Sequence, residues 1–474
     1  MANPTPLILA WQASPTSSDF GSLANDPLAP DATIEHALPV PSVGTSLDIF
    51  HGYIGVFIVA FLVTLVMTPI MRRLAIANGI VDRPSESRKI HRVPIAYLGG
   101  VAVFLGMLAA ITFSYVAPDL VLGGKPVSIL EPHQSRFEQL PVPISVVVGM
   151  FAIMFTGLLD DIAHLIPRSK IGGQLLAAAA LSYQDIGTKV ASGLLQPIGA
   201  FLGNQELVYR IPLPFEIPGY GSSLVIDLIY WSGVVIIALF VLGACNASNL
   251  IDGLDGLLSG VTAIASMGLL LIALWLAASD DGRLDSARVV LALALLGSCL
   301  GFLPHNFNPA TIFLGDAGSL LMGYVTIVIV LMLGDTGRTH LVVAGLIIYS
   351  IPIIDTVLAM VRRKMAGKSL SSADDQHLHH MLKRALGVRG AVMTLYAAGI
   401  AFAALGIWLS MGRVRVVFTI AMVVWAFIGV TAVKVARRQA LEAQGKALAE
   451  GGSPATVRPS VRKDPEPRKP SPAR

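Results

Sequence analysis

A chain of 474 residues that is 54% hydrophobic, only 14% charged and of mean hydropathy +0.70 has far more apolar length than a water-soluble core can use. A soluble domain is thereby excluded, and a formal charge of +4 is too small to argue for a nucleic-acid partner. Dyad alternation is absent from the apolar runs, which excludes an outer-membrane barrel; the fold class is all-α, a polytopic integral membrane protein with about 20 mostly apolar residues per span.

In chain order, residues 1–50 contain no Lys or Arg and are rich in Pro, Ser, Asp and Ala, which predicts an extracytoplasmic disordered tail without the basic start of a signal peptide. Residues 51–434 form a multi-span domain with about eleven transmembrane helices. The first four lie at about 52–71, 95–116, 142–159 and 171–184. Residues 206–221 (ELVYRIPLPFEIPGYG) alternate like strands broken by prolines and predict a small hairpin outside the bilayer. A fifth span ends at Cys245, and the rest lie at about 257–277, 288–304, 319–334, 340–360, 391–410 and 415–433. Residues 435–474 are a basic, Pro-rich cytoplasmic tail, disordered beyond a short juxtamembrane helix.

Of the 34 Lys and Arg, nine fall on the side of the N-terminal tail and 25 on the other. The positive-inside rule places the N-terminus outside and the C-terminus in the cytoplasm of the cell inner membrane. Every polar loop rich in candidate functional groups then lies on the cytoplasmic face. Scattered helix caps would have no reason to collect there.

The central loop is NASNLIDGLDGL, residues 246–257, between two strongly apolar runs. Asn246, Asn249, Asp252 and Asp255 would each be costly in hydrocarbon, so the cluster sits at the membrane surface or in a wet, protein-walled pocket. Residues three apart are helical neighbours, so Asn246 can meet Asn249 and Asp252 can meet Asp255, with Gly253 and Gly256 permitting close approach. A polar cap between two spans is the plainer alternative.

DDIAHLIPRSK adds Asp160, Asp161 and Lys170; NFNPATIFLGDAGS adds Asp316; a long polar loop adds His377, His379 and His380. No Ser-His-Asp spacing, cysteine nucleophile or His-Glu zinc pattern accompanies them, and Cys245 and Cys299 lie within apolar runs. Hard oxygen ligands favour Mg²⁺, with Mn²⁺ as the alternative; Lys170 and the histidines would form a positive rim around a diphosphate. The pattern points to phosphoryl chemistry at a membrane surface. Asp160 and Asp161, adjacent and about 100° apart on a helix, should not share one job. Asp355, within an apolar run after Pro352, suggests a helix–helix hydrogen bond.

Those four motifs, the last read as Asp-x-x-His-x-His-His over 374–380, together with VDRPSESRKIHRVPIAYLGG, resemble in order the polyprenyl-phosphate N-acetylhexosamine-1-phosphate transferases, glycosyltransferase family 4. The resemblance covers roughly residues 50–435. The histidine run and span count look more like the branch using UDP-N-acetylglucosamine than the one using UDP-N-acetylmuramoyl-pentapeptide. The resemblance implies transfer of N-acetylglucosamine 1-phosphate from the UDP-sugar to undecaprenyl phosphate, with release of UMP, for cell-envelope polysaccharide synthesis. Asp316 and Asn249 would bind the metal and Lys170 the diphosphate. Asp160 or Asp161 would deprotonate or position the lipid phosphate. Asp252 and Asp255 would hold the nucleotide end or support the metal, and His377 and His379 would touch diphosphate or sugar, with Asn246 and His380 in the binding set. A homodimer is compatible with the resemblance. In one departure, Asp375 replaces the Arg common in the family two residues before the first histidine, which bears on the sugar contacts. The rivals are the muramoyl-pentapeptide transferase of the same family and, from another class, a membrane transporter or flippase; no repeated halves favour the latter.

Overall fold

The computed structural model describes residues 45–82, 94–116, 121–122, 125–126, 142–217, 221–279, 281–365, 367 and 377–449. All fall in one compact unit that begins at Val43. The expectations for the remoter parts of both tails, for the loop around Arg88 and for Asp375 lie outside the described residues.

The helices are α1 (Ser46–Ala77), α2 (Gly99–Val116), α3 (Ile144–Ala163), α4 (Pro167–Tyr183), α5 (Ser192–Phe201), α6 (Leu228–Ile251) and α7 (Leu257–Ala278). They continue with α8 (Asp285–Asn306), α9 (Gly315–Met332), α10 (Thr339–Ile348), α11 (Ser350–Met365), α12 (Leu378–Ser410) and α13 (Val414–Ala449). Among the described residues nine are long and apolar enough to cross a membrane, and α10 with α11 makes a tenth if the bent pair counts as one. The fourth expected span is α4, whose 17 residues reach about 26 Å, a little under the hydrocarbon thickness. Helix α1 already begins at Ser46, so residues 46–50 are helical where the sequence suggested a tail, and α13 runs on to Ala449 where a juxtamembrane helix was expected.

Among the described residues, strands form three two-stranded antiparallel ribbons: β1 (Val81–Asp82) with β2 (Ile95–Ala96), β3 (Val121–Leu122) with β4 (Lys125–Pro126), and β5 (Val208–Ile217) with β6 (Gly221–Asp227). The last is the expected hairpin, extended by Ser222–Asp227 beyond the predicted segment.

Helix α9 is the axis of the packing. Every residue from Ala317 to Met332 is buried, as suits a helix apolar on all sides, and α2, α3, α6, α7 and α8 lie against it. Cys245 and Cys299 are free thiols buried within this core. One expected span is corrected: the ninth is not continuous but breaks after Ile348, and α11 leaves α10 at 79°. Pro352 gives the reason, since it has no N–H to offer the Ile348 carbonyl and its ring would clash there. The break carries Asp355 away from the line of α10 to the start of α12.

Candidate functional site

The site is assembled from helix ends. Asp161, in the last turn of α3, accepts hydrogen bonds from the backbone N–H of Asp316 (2.7 Å) and of Ala317 (3.1 Å). It caps the electropositive start of α9, where two otherwise unpaired donors point. The chain enters this turn with Gly315 at φ +72°, and a Cβ there would lie 2.6 Å from a carboxylate oxygen of Asp161. Asp160, its neighbour, faces elsewhere: Oδ1 accepts from the Leu165 amide (2.8 Å) and Oδ2 pairs with Lys170 Nζ (2.7 Å). The two adjacent carboxylates thus make different contacts.

Lys170, in the first turn of α4, also reaches Asp316 Oδ2 at 2.6 Å. The other oxygen of Asp316 accepts from Asn249 Nδ2 (2.7 Å), which donates in addition to Ser319 Oγ (3.0 Å). The ends of α3, α4, α6 and α9 thus converge on Asp316.

Asp252 ends α6, and the loop to Gly256 carries Asp255, whose Oδ2 accepts from Asn308 Nδ2 (2.9 Å) and from the Ala310 amide (3.0 Å). Asn306 fastens the same loop, accepting from the Gly256 amide (3.1 Å) and Ser259 Oγ (3.0 Å) while donating to the Ile312 carbonyl (3.1 Å). The following segment is strapped to the start of α2 by Phe313 N–H to the Ala96 carbonyl (2.8 Å) and Gly100 N–H to the Leu314 carbonyl (2.8 Å).

Between these loops lies a cavity of about 500 Å³, lined by Asn249, Asp252, Asp255, Asp316 and His380 among the expected residues. Tyr97 and Phe313 form an aromatic wall, with ring centroids 6.1 Å apart, and Asn306 and Asn308 also line it. Asp160 and Lys170 reach the cavity through Asp316.

Asp160, Asp161 and Lys170 adjoin Asp316 without lining the cavity, and three further expected residues also lie off it. Asn246 does not meet Asn249; its amide donates to Gln174 Oε1 (3.0 Å) and the Leu242 carbonyl (2.7 Å), tying α6 to α4. His377 and His379 do not face the cavity but are buried against Asp355, because the bend before α11 delivers that carboxylate to them. Asp355 makes the expected contact between helices, accepting from the Leu378 amide (2.7 Å) and pairing with His377 Nδ1 (3.0 Å). Tyr97, Phe313, Asn306 and Asn308 were not singled out as site residues, although all four stand within the motifs that drew attention, where polar asparagines flank an apolar span.

The electrostatics are those of crowded anions. Asp252 is pushed up to about 8, first by burial and then by the fields of Asp316, Asp161 and Asp255. Burial, followed by Asp82, Asp161, Asp316 and Asp252, raises the Tyr97 phenol in the same direction. The lining donors are carboxylate and amide oxygens without sulfur, which fits a hard divalent cation and suits Mg²⁺ or Mn²⁺ better than zinc. Asn249 spends its NH₂ on Asp316 and Ser319, so only its carbonyl oxygen is left for such an ion.

The chain is similar in sequence to known proteins. The sequence model of glycosyl transferase family 4 matches residues 143–334, which hold all the carboxylates of the cavity region except Asp82. A protein of Bacillus subtilis, named a probable undecaprenyl-phosphate N-acetylglucosaminyl 1-phosphate transferase, is 31% identical over 73% of this chain and 82% of its own length. The decaprenyl-phosphate N-acetylglucosaminephosphotransferase of Mycolicibacterium smegmatis is 32% identical over 77% of this chain and 84% of the relative. The phospho-N-acetylmuramoyl-pentapeptide-transferase of Bacillus subtilis is 28% identical over 74% and 95%.

Proposed function

Because the chain belongs to glycosyl transferase family 4, as a member of its polyprenyl-phosphate hexosamine-1-phosphate transferases, we propose the specific reaction it performs. It transfers N-acetylglucosamine 1-phosphate from UDP-N-acetylglucosamine to undecaprenyl phosphate, on the cytoplasmic face of the inner membrane. An oxygen of the lipid phosphate bonds to the β-phosphorus of the UDP-sugar, the bond from that phosphorus to the bridging oxygen breaks, and UMP leaves with the electron pair.

The observation that carries this reading is Lys170, held between Asp160 and Asp316 beside a carboxylate-lined cavity. A cation shared between two anions can exchange them for phosphate oxygens when two phosphorylated substrates meet. Asp160, released from Lys170, positions the acceptor; with the second pKa of a phosphate monoester near 6, no strong base is required. Asp161 is engaged with the backbone of α9 and keeps Asp316 in place. Tyr97 and Phe313 offer flat apolar surface to the base, and His380 offers a donor to the sugar diphosphate.

Asp316, Asp252 and the carbonyl oxygen of Asn249 would hold Mg²⁺. When bound, the ion supplies charge neutralisation of the diphosphate, without which five aspartates would repel it. The preference for N-acetylglucosamine rests on two relatives named for that sugar at 31% and 32% identity, against 28% for the muramoyl-pentapeptide enzyme.

The test is release of UMP from UDP-N-acetylglucosamine by purified protein, with and without undecaprenyl phosphate, in Mg²⁺ and in EDTA. Release that requires both lipid and metal is expected. Release only from UDP-N-acetylmuramoyl-pentapeptide would move the chain to the other branch.

A further inference from the structure

Asp355 lies outside the cavity, yet it is buried to 1% exposure and both its oxygens are engaged at the root of the histidine run. Oδ1 accepts from the Leu378 amide (2.7 Å), so the carboxylate caps α12. Oδ2 faces two imidazoles at once, His377 Nδ1 at 3.0 Å and His379 Nδ1 at 3.4 Å. A helix cap needs only the first of these contacts. The second arrangement hydrogen-bonds the His377 ring and sets the carboxylate charge against His379, and the way the two rings are placed connects Asp355 to the cavity.

His379 is 1% exposed, and its remaining nitrogen abuts the acidic loop: a Cβ built on Gly253 would lie 2.5 Å from His379 Nε2. Gly253 stands next to Asp252 and lines the cavity. On its other side the His379 ring packs against His380, centroids 4.4 Å apart, and His380 lines the cavity too. One imidazole therefore supports both the backbone beside Asp252 and the histidine that reaches the pocket. Asp355 bears on this imidazole in two ways: its Oδ2 faces His379 Nδ1 at 3.4 Å, an ion-pair contact without hydrogen-bond geometry, and the His377 ring it hydrogen-bonds stacks on His379, centroids 5.3 Å apart with 17° between the planes.

We propose that Asp355 is a positioning residue of the transferase site, which acts through His379 to set the Asp252–Gly256 loop and His380 against the cavity. The inference rests on the function proposed above for its kinetic readout, but not for its structural one. It also explains why position 253 is glycine: any side chain would meet the clamped imidazole.

The test uses full-length protein in detergent with undecaprenyl phosphate. Asp355→Asn keeps an oxygen to accept from the Leu378 amide but loses the charge that two imidazoles share, so it separates the cap from the clamp. Turnover should fall about 10- to 100-fold while the protein stays folded. His379→Ala should fall similarly, and Asp355→Asn added to His379→Ala should cost nothing further, because the carboxylate works through that ring. Gly253→Ala, which displaces the ring from the other side, should also lower turnover about tenfold or more.

Hydrogen exchange of the 252–256 amides supplies a readout that needs no substrate. Asp355→Asn should speed it about tenfold, with α1 amides unchanged. Wild-type exchange in a folded Asp355→Asn protein would overturn the proposal whatever the substrate is, as would multiplying rather than saturating losses in the double variant. Stoichiometric zinc in the wild type that is lost in Asp355→Asn would also overturn it, making the cluster a metal centre. A wild type that turns over neither UDP-sugar would count against the proposed function, and the exchange experiment would still decide the role of Asp355.

Discussion

Two groups of buried charges, built from the same residue types, behave in opposite ways. Around the turn between α7 and α8, Arg288 is fully buried and pairs with Asp281 (3.1 Å) and Asp285, while Arg338 reaches Asp281 (2.7 Å) and Arg283 reaches Asp335 (3.4 Å). Three cations face three anions, and none of the six lines the cavity. In the cavity region Asp160, Asp161, Asp252, Asp255 and Asp316 crowd together, with Lys170 paired to Asp160 and Asp316. A balanced cluster centred on a fully buried Arg288 locks helices; an unbalanced one open to a 500 Å³ cavity is left to bind something positive or to receive a cation with its ligand. Charge balance and access, rather than burial, separate structure from function here.

Asp316→Ala should break the comparison most severely on the side of activity. It removes the residue on which Lys170 and Asn249 converge, and turnover should fall by more than about a thousandfold. Tm should move little, since one anion leaves an overcrowded group. Arg288→Met tests the other region and should do the reverse. Removing one partner from a buried ion cluster leaves unpaired anions and costs about 3–5 kcal/mol of stability. Thermal unfolding should show the loss, while the folded fraction turns over at the wild-type rate. A loss of activity per folded molecule would mean that this cluster also serves the site.

Much of this was legible beforehand because chemistry and polarity coincide in a membrane chain. A polar residue in an apolar sequence has to be explained, and Asn249, Asp252, Asp255, Asp316 and His380 do line one cavity. What the sequence could not convey was direction. Asn246 and Asn249 are one turn apart, yet one is taken by Gln174 and the other by Asp316, a choice made by where α4 and α9 pack. His377 and His379 read like His380, and only the 79° break before α11 explains why they turn to Asp355 instead. Pro352 was visible, but its consequence for a helix 25 residues downstream needs the third dimension. The Arg288 cluster was hidden for the opposite reason: a short run of mixed charges between spans reads as a solvated turn.

Lys170→Ala should sharpen the contrast with a smaller loss than Asp316→Ala, about a hundredfold, because a cation that arrives with the substrate can replace part of its charge. Raising Mg²⁺ should recover some of that rate, whereas Asp316→Ala should not respond. Recovery in neither variant would remove Lys170 from the diphosphate.

The smallest effect is also the most specific to an unbalanced site. Asp252 stands at about 8 in the folded chain, against about 3.9 for an unfolded Asp. The folded state therefore holds a proton that the unfolded state releases between those values. With a raised carboxyl pKa, the stabilising contribution is complete below about pH 4 and is lost progressively as pH rises to about 8. Cation-free protein should accordingly lose thermal stability as pH climbs through that window, and a divalent cation should restore it at the alkaline end. The same linkage requires that a cation binding near Asp252 expel its proton, about one per ion at pH 7, and bind more tightly as pH rises toward 8. Calorimetric titration of Mg²⁺ in buffers of different ionisation enthalpy measures that proton directly. Its disappearance in Asp252→Asn would tie it to this carboxyl; a wild type that releases none would show that the ion is held without Asp252, and that Asp316 and Asn249 carry the site.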